Sequence, residues 1–432
     1  MTNASPVFTL VFAVALMVGL ITRFYLASRQ VRHVMRHRDQ VPSAFTGTIA
    51  LASHQKAANY TVTKARFGML EIAFGSAVLL GWTLMGGLDA LNRLIGTSAL
   101  DSYGPLVPQI VLIAAFSLIG GLLDLPWTLY STFRIEERFG FNQTSLKLWV
   151  TDLLKSAALG AVIGLPLVAL MLWLMASTGR FWWLWAWGAW MTFNLLALTL
   201  YPTLIAPLFN QFKPLDDEAL KARVTALMQR CGFAAKGLFV MDGSRRSAHA
   251  NAYFTGFGAA KRVVFYDTLL KQLNPAEVDA VLAHELGHYK HKHIIKSMLS
   301  LFGLSLVGFA LLGWLASQSW FYTGLGVTPN VNGGNEAVAL LLFLLVVPLF
   351  SFFVSPVMAR FSRKHEFEAD AYAVSQTGAH DLQSALLKLY QDNASTLTPD
   401  PLFAKFYYSH PPASERLGRM TPPSMSASAS AR

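Results

Sequence analysis

Residues 153–209 read LLKSAALGAVIGLPLVALMLWLMASTGRFWWLWAWGAWMTFNLLALTLYPTLIAPLF, and this stretch decides the fold. Two apolar runs, Leu153–Ala176 and Phe181–Phe209, meet at the short turn Ser177-Thr178-Gly179-Arg180. A helix needs about 20 apolar residues to cross a bilayer. Each run is that long, and the turn leaves room only for a helical hairpin. Working outward, five more runs meet the same length: Val7–Leu26, Gly68–Leu88, Leu106–Tyr130, Met298–Phe321 and Ala337–Met358. The composition agrees. Of 432 residues 53% are apolar and only 14% charged, with a mean hydropathy of +0.41, a balance that a soluble chain of this length does not have.

The net charge of +11 reads as loop charge that orients the spans. No basic run interleaved with aromatics marks a nucleic-acid face, so no nucleic-acid partner is expected. The loop after the first span carries Arg29, Arg32, Arg36 and Arg38, which places it in the cytoplasm. Alternation then puts 131–150, 210–295 and 359–432 on that side. The opposite loops, 89–105, 177–180 and 322–336, hold only Arg93 and Arg180 as positives. The first run has no positive segment before it, so it reads as a retained span and not a cleaved signal. Glu71, Asp124, Asp152 and Asn194 fall in or at the ends of spans. They either line a water-filled cavity or lie at the interface.

Residues 210–295 read as a compact α+β unit. Asp216–Gln229 is an amphipathic helix. Leu238–Met241, Ala250–Phe254 and Arg262–Tyr266 are strands, the last two linked through Gly256, Gly258 and Lys261. The helix Pro275–His293 follows, starting at Asn274-Pro275-Ala276-Glu277, with Val278, Val281, Leu282 and Leu286 as its apolar stripe. The Ser/Ala-rich residues 422–432 read as a disordered tail. The organisation expected is five spans in 1–209, the first part of an extramembrane domain in 210–297, two spans in 298–358 and the second part in 359–421.

That helix carries His284-Glu285-Leu286-Gly287-His288. Residues four apart share a helix face, so the two imidazoles can hold one Zn²⁺ and Glu285 can act beside it as a base. The only cysteine, Cys231, excludes cysteine-cluster sites and an intramolecular disulfide. A third ligand must therefore be a carboxylate or a histidine. His291 is a rival on roughly the same face, and His291 and His293 read as residues of a wet membrane interface. The best source is Lys364–Asp370. Glu366 and Asp370 share a face, which allows Glu366 as ligand and Asp370 as acceptor for a ligand imidazole N–H. Glu368 points elsewhere.

At these residues the chain resembles the type 1 CAAX prenyl endopeptidases, the a-factor-converting integral-membrane zinc proteases. The resemblance extends over Leu125-Pro126-Trp127, Ile135–Asn142, Ala206–Asn210, Gly243–Ser247, Asn251–Gly256, the HELGH run, Glu366–Asp370 and Ser409–Pro412 with Arg416. It implies a mainly α fold: seven transmembrane helices around an aqueous chamber, with a small zincin-like α+β catalytic domain on the cytoplasmic side. It implies one Zn²⁺ per chain on His284, His288 and Glu366, Glu285 as general base and Asp370 behind a ligand. Asn251, with Ala252 and Tyr253, would pair with extended substrate, and His410 and Arg416 would stabilise the tetrahedral intermediate. Peptide or protein substrate and membrane lipid are the partners implied. The chain ends Ala427–Arg432 without the retrieval signal of endoplasmic-reticulum members, which resembles a bacterial inner-membrane member.

Three other readings compete. A site-2-type intramembrane protease carries HExxH inside an apolar span, but here Lys290, His291, Lys292, His293 and Lys296 follow the motif, and such cations are costly at membrane depth. A non-catalytic scaffold or gate would not need Glu285 and the ligands intact. A quality-control protease clearing jammed membrane proteins would use the same site on other substrates.

Overall fold

The computed structural model describes residues 4–234, 237–255, 262–330 and 333–420. The link through Gly256, Gly258 and Lys261 and the tail 422–432 lie outside them. Among the described residues, seven helices are long and apolar enough to span a membrane: Ala4–Arg36, Leu51–Trp82, Leu106–Glu136, Leu146–Ser177, Gly179–Phe209, His293–Leu315 and Glu336–Thr377. All seven apolar runs of the sequence fall within or mostly within them, and the chain is a multi-pass integral membrane protein.

The ends differ from the sequence reading. The second helix begins at Leu51, well before Gly68, and stops at Trp82, where Thr83 leaves helical geometry (φ −98°, ψ −99°) ahead of the turn at Gly86 (φ 78°). Its first four turns carry His54, Lys56, Asn59 and Lys64, polar residues that hide a continuous helix from a hydropathy count. The sixth helix starts at His293 and stops at Leu315, and a separate short helix, Ser319–Thr323, takes the rest of the expected run. The seventh continues past the apolar part through a 3₁₀ turn at Phe352–Val354 into Ser355–Thr377. That continuation carries Glu366 directly from the membrane into the extramembrane domain.

The bundle is tied at one end. Phe12, Leu16, Leu112, Leu172, Leu312 and Leu342 form one buried cluster, drawn from the first, third, fourth, sixth and seventh spans at the end remote from the HELGH motif. None of the most apolar window of Leu51–Trp82 is buried, and only 17% of that of Leu106–Glu136. The other end carries the extramembrane domain and the HELGH motif. A cavity of about 810 Å³ opens at this end. Glu71 and Asp124 are exposed on their helices, whereas Asp152 is taken up by Arg246 (Nε–Oδ2 2.8 Å, Nη2–Oδ1 3.1 Å). That pair ties the fourth span to the extramembrane domain.

The domain is built on four strands, β1 Phe212–Pro214, β2 Gly237–Met241, β3 Ala252–Thr255 and β4 Arg262–Tyr266, in the order β1-β2-β4-β3. β2 and β4 are parallel, and the outer pairs antiparallel. β1 was not legible, being three residues with Pro214 at its end. A proline is tolerated there because an edge strand leaves its missing N–H unneeded. The helix Pro275–Lys290 starts with a complete capping box, Asn274 with Glu277. Val278, Val281, Leu282 and Leu286 enter the core with Val263 and Phe265 of β4. Burying each such side chain contributes roughly 1.5–3 kcal/mol, which fixes the helix on the sheet. It ends at Lys290, earlier than expected, since Lys292 takes a left-handed φ of 56° and a new helix starts at His293.

Candidate metal centre

Two helices meet at the site. Gly287 makes this possible: a Cβ there would lie 2.9 Å from Ala369 Cα and 3.0 Å from Ala369 O. The glycine inside HELGH lets the Pro275–Lys290 helix approach the Ser355–Thr377 helix at the turn that carries Glu366 and Asp370.

At this crossing His284, His288 and Glu366 each offer a ligand atom within 4.8 Å of the others. The two Nε2 atoms are 3.2 Å apart. Glu366 Oε2 is 3.6 Å from His284 Nε2, and Oε1 is 3.3 Å from His288 Nε2. His284 Nδ1 lies 2.9 Å from Asp370 Oδ1. Asp370 is gripped by Arg416 through Nε (2.8 Å) and Nη2 (2.5 Å), and both are buried. A carboxylate only accepts, so His284 carries its proton on Nδ1 and turns a bare Nε2 lone pair toward Glu366. Glu366 Oε2 is buried without a hydrogen-bond partner. A lone pair facing an unpartnered carboxylate oxygen is costly in a buried place unless a cation lies between. Tetrahedral zinc with bonds of about 2.0–2.1 Å to nitrogen and oxygen holds its donors about 3.3–3.4 Å apart. The donors therefore fit such a metal in kind, number and spacing.

Glu285 is half-buried beside the pair. Burial raises its carboxyl above the ordinary glutamate range, the nearby Glu366 charge adding to this and the two histidines opposing it. His410 is exposed on its loop, with Nε2 3.4 Å from Glu366 Oε1 and Nδ1 3.0 Å from Ser409 Oγ. Arg416 spends Nε and Nη2 on Asp370, and Nη1 is left 3.7 Å from Glu366 Oε2. It reaches the site mainly through Asp370.

β3 is an edge strand, and no other described strand pairs with its outer side. Asn251 precedes it and is exposed. Its backbone oxygen accepts from Tyr266 N (3.0 Å), and its side-chain Oδ1 accepts from Ala252 N (2.8 Å). Ala252 is buried and Tyr253 half-buried. Asn251, His410 and Arg416 line the 810 Å³ cavity together with Tyr60 and Lys64. The structure thus gathers His284, His288, Glu366, Asp370, Arg416 and His410 at one crossing, with Asn251 on the same cavity as His410 and Arg416; Ala252 and Tyr253 follow Asn251 on β3 and are not among the residues that line that cavity.

One reading is corrected. His293 does not lie at a wet interface: it is 3% exposed, with Nδ1 3.0 Å from His288 Nδ1 and Nε2 2.8 Å from Glu368 Oε2. Glu368 points away from the three ligands, as expected, yet it has this partner. The helix break at Lys292 turns His293 back toward His288, which helix periodicity could not show. The dense Lys290–His293 run at the start of an apolar span was the available signal.

Residues 30–211 match the profile of the CAAX prenyl protease N-terminal region, five membrane helices, and 214–423 match peptidase family M48. The chain is 34% identical to the CAAX prenyl protease 1 homolog of Arabidopsis thaliana over 382 residues, covering 87% of this chain and 89% of that one. It is 32% identical to CAAX prenyl protease 1 of Saccharomyces cerevisiae, covering 91% and 90%. The crystal structure of S. mikatae Ste24p superposes with a TM-score of 0.89 at 30% identity, over 96% of this chain and 99% of that one. With a donor set fitted to a metal on a chain of seven membrane-length apolar helices, the chain belongs to the CAAX prenyl protease 1 family of integral-membrane M48 metalloproteases.

Proposed function

We propose that the metal is a single Zn²⁺ held by His284, His288 and Glu366, and that the enzyme cleaves extended polypeptides with a prenylated C-terminus from the cytoplasmic side. The observation that carries the zinc reading is the meeting of two imidazoles and the buried Glu366 carboxylate at 3.2–3.6 Å, with one carboxylate oxygen, Oε2, lacking a hydrogen-bond partner. The relatives' names as CAAX prenyl proteases motivate the substrate. The Arg-rich segment after the first span motivates the orientation.

When bound, zinc supplies Lewis acidity toward the scissile carbonyl and lowers the pKa of a coordinated water. The remaining work falls to the chain. The outer edge of β3 offers free backbone groups to an extended peptide, and Asn251 stands at the start of that edge. Glu285 takes the proton from the attacking water and later gives it to the leaving amine, a task its raised pKa suits. His410, exposed and next to Glu366, donates to the oxygen that becomes negative. Arg416 holds Asp370, Asp370 holds His284, and Arg416 Nη1, 3.7 Å from Glu366 Oε2, adds positive charge nearby. The 810 Å³ cavity is within the range of about 300–1,000 Å³ common to ligand sites.

The test is cleavage by purified protein in detergent of a farnesylated CAAX peptide and its unprenylated twin. Cleavage of the farnesylated peptide should stop with a zinc chelator and return with added Zn²⁺. Chelator-resistant cleavage would overturn the zinc reading. Equal cleavage of both peptides would remove the prenyl preference and leave the hydrolysis.

A further inference from the structure

The two ligand histidines are supported differently, and the support of His288 has no counterpart among the roles argued above. Glu368 lies opposite His293 Nε2 at 2.8 Å. An ionised carboxylate only accepts, so this nitrogen carries the proton. A neutral imidazole has one proton, which leaves a lone pair on His293 Nδ1. That lone pair faces His288 Nδ1 at 3.0 Å. The contact is a hydrogen bond only if His288 donates from Nδ1, and His288 Nε2 is then bare and turned toward His284 and Glu366. One carboxylate thus sets two tautomers in series. The His293 ring cannot easily leave this arrangement. It lies nearly parallel to His365 (4.0 Å between centroids, 13°) and to His291 (5.5 Å, 16°).

We propose that His293 and Glu368 are positioning residues that hold His288 in its metal-binding tautomer, a relay matching the Asp370–Arg416 brace on His284. The proposal rests on the zinc reading. Partners of this kind behind a ligand histidine typically account for 10–100-fold in metal affinity. Glu368 is the better residue to alter. Its side chain is 31% exposed, so the helix tolerates change there, whereas removing the buried His293 ring leaves a void.

The experiment is zinc affinity of full-length apo-protein in detergent, measured by competition with a chromophoric chelator, for wild type, Glu368→Ala, Glu368→Gln and Glu366→Ala. Glu368→Ala should bind zinc 10–100-fold more weakly and still reach one zinc per chain at saturation. Glu368→Gln keeps an oxygen that can accept from His293, and should recover most of the affinity. The Co²⁺ absorption spectrum of Glu368→Ala should shift, because one imidazole is no longer held in place, and a merely structural role would leave it unchanged. Wild-type affinity in Glu368→Ala, with Glu366→Ala still defective, would overturn the relay and leave the zinc site standing. Failure of wild type itself to bind zinc more tightly than Glu366→Ala would overturn both.

Discussion

Glu285→Gln is expected to keep the fold and the metal and to lose the reaction. Glutamine has nearly the shape of glutamate, so the packing of the Pro275–Lys290 helix should not change. It cannot take a proton, so the transfer step loses its base. Such a loss costs typically about 10²–10⁴-fold, or roughly 3–5 kcal/mol of barrier. The fall should appear in kcat, with KM and zinc content near wild type, because Glu285 is not among the three ligands. Initial rates on the farnesylated peptide, read beside elemental analysis of the same preparation, decide it. Full activity in Glu285→Gln would remove the residue from the mechanism.

Gly287→Ala is expected to damage metal binding, activity and stability together. The new methyl carbon would be 2.9 Å from Ala369 Cα and 3.0 Å from Ala369 O. Both are tighter than van der Waals contact, and backbone cannot swing away as a side chain can. Overpacking of this kind costs about 1–3 kcal/mol. It also pushes Glu366 and Asp370 away from His284 and His288, since all four are carried on the two helices that touch here. Displacement of a reacting group by about 1 Å can cost 10²-fold in rate. Metal content and melting temperature should both fall, the signature that separates this variant from Glu285→Gln. An unchanged zinc affinity in Gly287→Ala would show that the helices part without disturbing the ligands.

The contrast between these two positions shows what the sequence could carry. Seven spans were legible because apolar runs of about 20 residues have few other uses. Their ends were not, because a helix does not stop where the hydrocarbon stops: Leu51–Phe67 and Ser355–Thr377 are helical and polar. His284, Glu285 and His288 were legible from spacing on one helix. Glu366 and Asp370 were legible as residues sharing a face, and their roles came from the resemblance. The Arg416 fork on Asp370 and the relay from Glu368 through His293 depend on chain segments far apart in sequence. The second also depends on the left-handed turn at Lys292, a conformation lysine seldom takes and no pattern announces. β1 escaped because three residues are too few for an alternation to show.

The central claim is that His284, His288 and Glu366 together hold one catalytic zinc. Its most direct test is the zinc content per chain of detergent-purified wild type and Glu366→Ala, by elemental analysis. The account predicts about one zinc per chain in wild type, as for a three-ligand catalytic site, and a marked loss in the variant. Well-folded wild type with almost no zinc, or Glu366→Ala with as much zinc as wild type, would contradict it.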